Sequence, residues 1–175
     1  MRLSKGRGAG VMSELEPIPL VLKVNGATRR LFAEPRRLLS DVLREDCGLT
    51  GLHVGCEHGV CGACTVLFDG APARACLMYA VQAQGHEITT VEAFGASGEL
   101  SLVQQALHEE HGIQCGFCTP GIVVTMEAWL AEHPNPTDAE IREALSGNLC
   151  RCTGYHNIVA AIAKAASRRR EGKAT

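Results

Sequence analysis

The chain is short of aromatic side chains, of net charge and of long hydrophobic runs, and each shortage closes off a class of function. Aromatics make up 4% of the 175 residues, so a core has to be assembled from Leu, Ile, Val and Ala, and two small cores built that way bury little area each. With 17 basic against 19 acidic side chains the net charge is -2, which gives no general attraction for nucleic acid or anionic lipid. Hydrophobic residues amount to 46%, yet no stretch is apolar for long enough to span a bilayer. The expected partner is therefore another protein, with no nucleic acid and no membrane span. The first ten residues carry Arg2, Lys5 and Arg7 but lead into no apolar run, so export is unsupported and the expected compartment is cytoplasmic.

Cysteine is what the chain has in excess. Nine are present, an odd number that leaves one thiol over in any closed disulfide framework. In a reducing compartment clustered cysteines are read first as metal ligands or redox groups. Cys56, Cys61, Cys64 and Cys76 are separated by four, two and eleven residues, the spacing of a plant-type ferredoxin [2Fe-2S] site. One loop supplies three thiolates and a separate strand the fourth, while Gly55, Gly59 and Gly62 let the backbone approach and turn its N–H groups toward sulfur. The second group has Cys115 and Cys118 two residues apart, then Cys150 and Cys152 one residue apart. Each of its pairs lies at a helix end, so one helical unit can bring four thiolates together. A Cys₄ zinc site also uses paired cysteines, and zinc stays open as the rival reading, for the second group above all.

Local patterning divides the chain. Residues 1–16 show little periodicity and read as a disordered extension. Residues 17–92 read as sheet plus helix. Leu20, Leu22 and Val24 alternate into the Asn25-Gly26 turn and a return strand over 27–32. Leu39, Leu43 and Cys47 then share one helical face before Gly48, which makes Cys47 a packed thiol. Strands follow over 65–68, 71–77 and 88–91, with a linker over 93–98 that opens a helical region spanning 93–166. There Ser101 with Gln104 and Thr137 with Glu140 are capping boxes. Thr119 and Pro120 open a helix whose buried stripe is Ile122, Met126, Trp129 and Leu130, and Ile158, Ala161, Ile162 and Ala165 mark a fourth helix. Residues 167–175 read as a disordered basic tail. His53 and His58 flank the first cysteine loop, but four cysteines already complete its ligand set. Arg151, between Cys150 and Cys152, is expected to raise the potential of a cluster bound there.

Three motifs, Gly55-Cys-Glu-His-Gly-Val-Cys-Gly-Ala-Cys64, Gln114-Cys-Gly-Phe-Cys-Thr-Pro-Gly121 and Asn148-Leu-Cys-Arg-Cys-Thr-Gly-Tyr155, together resemble the iron-sulfur subunit of the molybdenum hydroxylases, the xanthine dehydrogenase and carbon monoxide dehydrogenase family. The resemblance runs from about Leu20 to Ala166. It implies an α+β fold with an N-terminal β-grasp ferredoxin-like domain and a C-terminal four-helix bundle, each holding a [2Fe-2S] cluster. It implies partners as well: a large subunit carrying a molybdenum-pterin cytosine dinucleotide and a medium subunit carrying FAD, joined as a heterotrimer or its dimer. Single electrons would pass from molybdenum by way of the bundle cluster and the ferredoxin-like cluster to flavin, with no catalytic residue on this chain. Cys115, Cys118, Cys150 and Cys152 would hold the cluster nearer the pterin, and Gln114 would contact the pterin itself. A free-standing two-cluster ferredoxin is the second reading and a zinc-stabilised interaction module the third. Two clusters in series with a net charge of -2 suit a fixed place in a complex better than a diffusing carrier with an acidic docking face.

Overall fold

The computed structural model describes residues 16–96 and 98–173; the extension expected over residues 1–16 falls almost wholly outside them. Leu20, Leu22 and Val24 are buried along β1 (Ile18–Val24), while Pro19 before them and Val21 and Lys23 between them face outward. The strand reverses at Asn25 and Gly26, both with positive φ (53° and 74°), the left-handed pair a two-residue hairpin turn requires. It returns as β2 (Ala27–Ala33), pairing Val24 with Ala27 and Ile18 with Ala33. A second hairpin of the same kind turns at Asp69 and Gly70 between β3 (Thr65–Phe68) and β4 (Ala71–Arg74). β5 (Glu87–Thr89) enters parallel to β1 and antiparallel to β3, completing a five-stranded sheet in the order β2-β1-β5-β3-β4.

Three local departures from the sequence reading have visible causes. The helix expected over 39–47 is one α-turn, α1 (Leu39–Asp41), followed by a π-turn over Val42–Asp46. Here the Cys47 N–H reaches back to the Val42 carbonyl at 3.0 Å, and Arg44 donates to the Thr50 and Leu52 carbonyls, tying the next loop to the widened turn. Cys47 is half-buried against the sheet-side core, and burial pushes its thiol pKa up. The return strand stops at Arg74, so Cys76 sits in a 3-10 turn, Ala75–Leu77, after the Ala75 N–H donates to the Cys64 carbonyl at 3.2 Å. Likewise β5 ends at Thr89, and the segment leading into the expected linker is a 3-10 turn, Val91–Gly95. Glu92 anchors it by accepting from the Thr90 hydroxyl and from the Gly51 N–H, the latter at 2.8 Å.

The second half is helical. Ser101 and Gln104 close a reciprocal capping box on α2 (Leu102–Glu109), and Thr137 and Glu140 close another on α4 (Asp138–Ala144), each satisfying N–H groups that a helix start leaves unpaired. α3 (Thr119–Glu132) begins one residue earlier than the capping argument placed it, which made Thr119 the cap and Pro120 the first helical residue. Cys118 is its N-cap and Thr119 its first residue, because the Ile122 N–H already bonds the Cys118 carbonyl at 3.1 Å. α3 buries seven side chains or glycines rather than one stripe, since it lies between β3 and β4 on one side and α2 on another. Trp129 is only half-buried and stacks on His133 with ring centroids 4.5 Å apart, so it lies at the rim of the core.

The expected disordered tail requires correction over its described part. α5 (His156–Lys173) continues through the tail as far as Lys173 because the tail's charges have partners on α2, on α3 and in the loop after α3. Arg168 grips Glu109 with two bonds of 3.0 and 2.7 Å, Arg169 pairs with the buried Glu127, and Arg170 donates to the Pro134 carbonyl at 2.9 Å. Two cores result. One gathers Leu20, Leu22, Leu39, Leu43 and Ile88 under the sheet, the other Leu107, Ile122, Met126, Ile141 and Ile162 among the helices.

Candidate metal centres

Eight of the nine cysteines collect in the two groups the spacing indicates, and within each group the thiols meet two by two. In the first, Cys56 pairs with Cys61 and Cys64 with Cys76 through their side chains. In the second, Cys115 and Cys152 bring their sulfurs to 3.4 Å, and Cys118 pairs with Cys150. The pairs in a group also lie close enough to act on each other electrostatically, Cys61 on Cys64 and Cys115 on Cys118. Among the described residues no three His, Cys, Asp or Glu side chains gather as they would around a single metal ion. Two such pairs of thiols in each group could together hold a diiron core, which would supply one-electron chemistry there.

The electrostatics differ between the outer and inner thiols. Cys56 is brought down to about 6, first by the Cys61 N–H, which approaches its sulfur at 3.4 Å, and then by the backbone at His58. The Phe117 N–H similarly lowers Cys115, whereas Cys115 in turn raises Cys152. Burial works against ionising Cys150, but the Thr153 hydroxyl at 3.1 Å and the N–H groups of Cys152 and Thr153 bring it down overall. Burial pushes Cys64 and Cys118 up to about 12, so those inner thiols become thiolates only beside a cationic core. A site whose buried members need the metal's charge fits an iron-sulfur cluster.

The loops that carry the two groups are pressed together. Leu149, next to Cys150, donates its N–H to the Cys61 carbonyl at 2.8 Å. The buried Asn148 donates from its side chain to the Gly62 carbonyl at 3.2 Å. Gly62, at φ 75°, has no room for a side chain, since a β-carbon there would stand 2.3 Å from the Gly147 oxygen. His53 lies across the same junction, stacked on Phe117 and donating from Nδ1 to the Phe117 carbonyl at 2.9 Å, while His58 turns to the Cys56 carbonyl. Each histidine thus spends its Nδ1 on a backbone carbonyl. Gln114 is exposed beside the exposed Cys115, and Arg151 is exposed beside Cys152.

Sequence reasoning missed the residues that hold this junction. Tyr155 accepts from the Cys150 N–H at 2.8 Å and donates to the Asn148 carbonyl at 2.9 Å, bracing the Cys-Arg-Cys loop. Asn148, Tyr155 and Gly121 lie inside the quoted motifs and Arg74 lies two residues before Cys76, so their neighbourhood was visible; their partners were not.

Two family models divide the chain. Residues 22–90 match a 2Fe-2S iron-sulfur cluster binding domain and residues 90–163 a [2Fe-2S] binding domain. Caffeine dehydrogenase subunit gamma of Pseudomonas sp. (strain CBB1) is 58% identical over 144 residues, 81% of this chain and 86% of that one. The xanthine dehydrogenase iron-sulfur-binding subunit of Escherichia coli O157:H7 is 47% identical over 150 residues, 85% of this chain and 94% of that one. The chain belongs to the small iron-sulfur subunits of the molybdenum hydroxylases. A crystal structure of quinoline 2-oxidoreductase from Pseudomonas putida 86 contains a chain of this family with a TM-score of 0.85 and 48% identity, covering 90% of this chain and 98% of that one. Two [2Fe-2S] domains are thus present, and this subunit's part in such dehydrogenase complexes is electron transfer. Among the described residues no helix is long and apolar enough to cross a membrane.

Proposed function

We propose that this chain carries single electrons from a molybdenum-pterin cytosine dinucleotide on a large partner subunit to FAD on a medium one, within a heterotrimer or its dimer in the cytoplasm. In this reading residues 17–92 are a β-grasp ferredoxin-like domain whose ligands are Cys56, Cys61, Cys64 and Cys76. Residues 93–166 form a four-helix bundle whose ligands are Cys115, Cys118, Cys150 and Cys152. Each [2Fe-2S] cluster, when bound, accepts and returns one electron at a time. The protein's contribution is to ionise and orient the thiols, to aim N–H groups at sulfur and to hold the two sites against each other.

The hydrogen bond from the Leu149 N–H to the Cys61 carbonyl carries the proposal. It joins the peptide before one cysteine ligand directly to the peptide of another, in the other domain, with only one residue's backbone between. Exposure supports a relay with two ends. Cys115 and Cys152 reach the surface beside Gln114, the residue proposed to meet the pterin. The first site comes near the surface where Val60 and Leu77 are more than half exposed, apolar side chains suited to the flavin-bearing partner.

Purification of the chain from its native source tests this reading. Copurification with a large molybdenum-containing and a medium FAD-containing chain, and bleaching of the cluster absorbance when the complex's substrate is added, is the expected result. A stable monomer that never copurifies and exchanges electrons with soluble carriers would replace it with the free-standing ferredoxin reading.

A further inference from the structure

One cation lies between the two cysteine groups and belongs to neither. Arg74 ends β4, two residues before Cys76, and is half-buried. Its Nη1 donates to Thr65 Oγ1 at 2.6 Å and its Nη2 to the Gly147 carbonyl at 2.7 Å. Thr65 follows Cys64, and Gly147 stands three residues before Cys150. The Thr65 hydroxyl passes its own proton to the Gly62 carbonyl at 2.6 Å, the same oxygen that accepts from the Asn148 amide. Hydrogen bonds therefore run from Arg74 through Thr65 and Gly62 to Asn148, and the Gly147–Asn148 peptide bond closes the ring back to Arg74. Its second strut is the weaker: Asn148 is buried, yet its Oδ1 has no hydrogen-bond partner among the described residues. The guanidinium's two bonds are charge-assisted and correspondingly stronger.

We infer that Arg74 is a positioning residue for electron transfer between the two sites: its guanidinium ties the loop of Cys64 to the loop of Cys150 and keeps the Leu149–Cys61 contact closed. The inference rests on the proposed ligand assignment of the eight cysteines. A planar fork with several fixed donors can serve two acceptors in different directions at once. An ammonium on a flexible stem meets both poorly.

The test uses the full chain with its clusters assembled, as the parent and as Arg74→Gln, Arg74→Lys and Gly147→Ala. Gly147 has no positive φ, and a β-carbon there would stand 2.8 Å from Arg74 Nη2, so alanine keeps the charge but displaces the guanidinium from its carbonyl. Iron content, the visible spectrum, the electron-equilibration rate between clusters after pulsed reduction, and the magnetic splitting between the two reduced clusters are measured. Iron and spectrum should be unchanged. The rate should fall by about tenfold in Arg74→Gln and in Gly147→Ala, the scale on which a small misplacement of reacting groups acts, the splitting should shrink in both, and lysine should restore only part. A purely structural strut would lower stability and leave rate and splitting alone, and that outcome overturns the inference. So does a slowed Arg74→Gln beside an unaltered Gly147→Ala, which assigns the effect to charge. If Arg74→Gln fails to retain iron, Gly147→Ala decides alone. A parent without an iron-sulfur spectrum overturns the ligand reading itself, and is distinguished by that.

Discussion

The carbonyl oxygen of Gly62 lies where the first turn of α3 leaves it no slack: a β-carbon on Gly121 would stand 2.2 Å from it. Helix and first cysteine loop thus approach backbone to backbone, and glycine is required at Gly121 by space, not by φ. Gly121→Ala forces the two cysteine loops apart and should lower the unfolding free energy by about 1–3 kcal/mol, the range for overpacking a close contact. Denaturant unfolding of the cluster-loaded chain measures it. Gly172→Ala, near the end of α5 and with nothing within 4 Å of the added carbon, should cost no stability and can add up to about 1 kcal/mol through helix propensity.

The end of α5 should matter more than a solvated tail would. Arg169 is paired with Glu127, whose side chain is 8% exposed and which also accepts from the Val103 N–H. Arg169→Ala leaves that carboxylate buried without its cation, and a loss of about 3 kcal/mol follows. Arg170→Ala removes only an exposed bond to the Pro134 carbonyl and should cost well under about 1 kcal/mol. Equal effects in the two variants would contradict the packing described.

Acid should loosen the α2–α5 contact in a defined window. Hydrogen bonds from Arg168, then Lys164, hold the Glu109 carboxyl at about 2 against an ordinary 4.5. Because the folded value is depressed, the stabilisation is complete above pH 4.5 and disappears as the pH falls through about 2. Glu109→Gln should be less stable than the parent at neutral pH, with the two converging toward the acid end. A stability difference independent of pH across this window would argue against the pairing.

Loss of one cysteine should empty one site only. Cys76→Ser should abolish the first cluster and Cys150→Ser the second, each leaving the other's spectrum intact, because the two groups are braced by different cores. Removing both irons from a site should also unfold much of the surrounding region, since ligation supplies folding energy where a core is small.

What was legible in the sequence was whatever depends on near neighbours. Asn25-Gly26 announced its hairpin and Ser101 with Gln104 its capping box, and both stand as read. The cysteine groups were equally plain, since spacing alone separated them, and their pairing two by two is the detail that spacing leaves open. Misreadings came where a distant partner intervenes. Glu92 bonding Gly51 made a 3-10 turn of the segment leading into the expected linker, whereas the π-turn before Cys47 is a local exception, closed on a carbonyl five residues back. Glu109 and Glu127 organised arginines that looked like a loose end. The sandwiching of α3 between sheet and helices had no signature beyond its own uniform hydrophobicity.

Iron and acid-labile sulfide, counted per polypeptide on anaerobically prepared material, test the central claim most directly. Two irons and two sulfides for each of the two cluster domains, with zinc absent, is the predicted result. Zinc in place of iron and no labile sulfide, in a chain whose eight clustered thiols are all protected from alkylation, would contradict it.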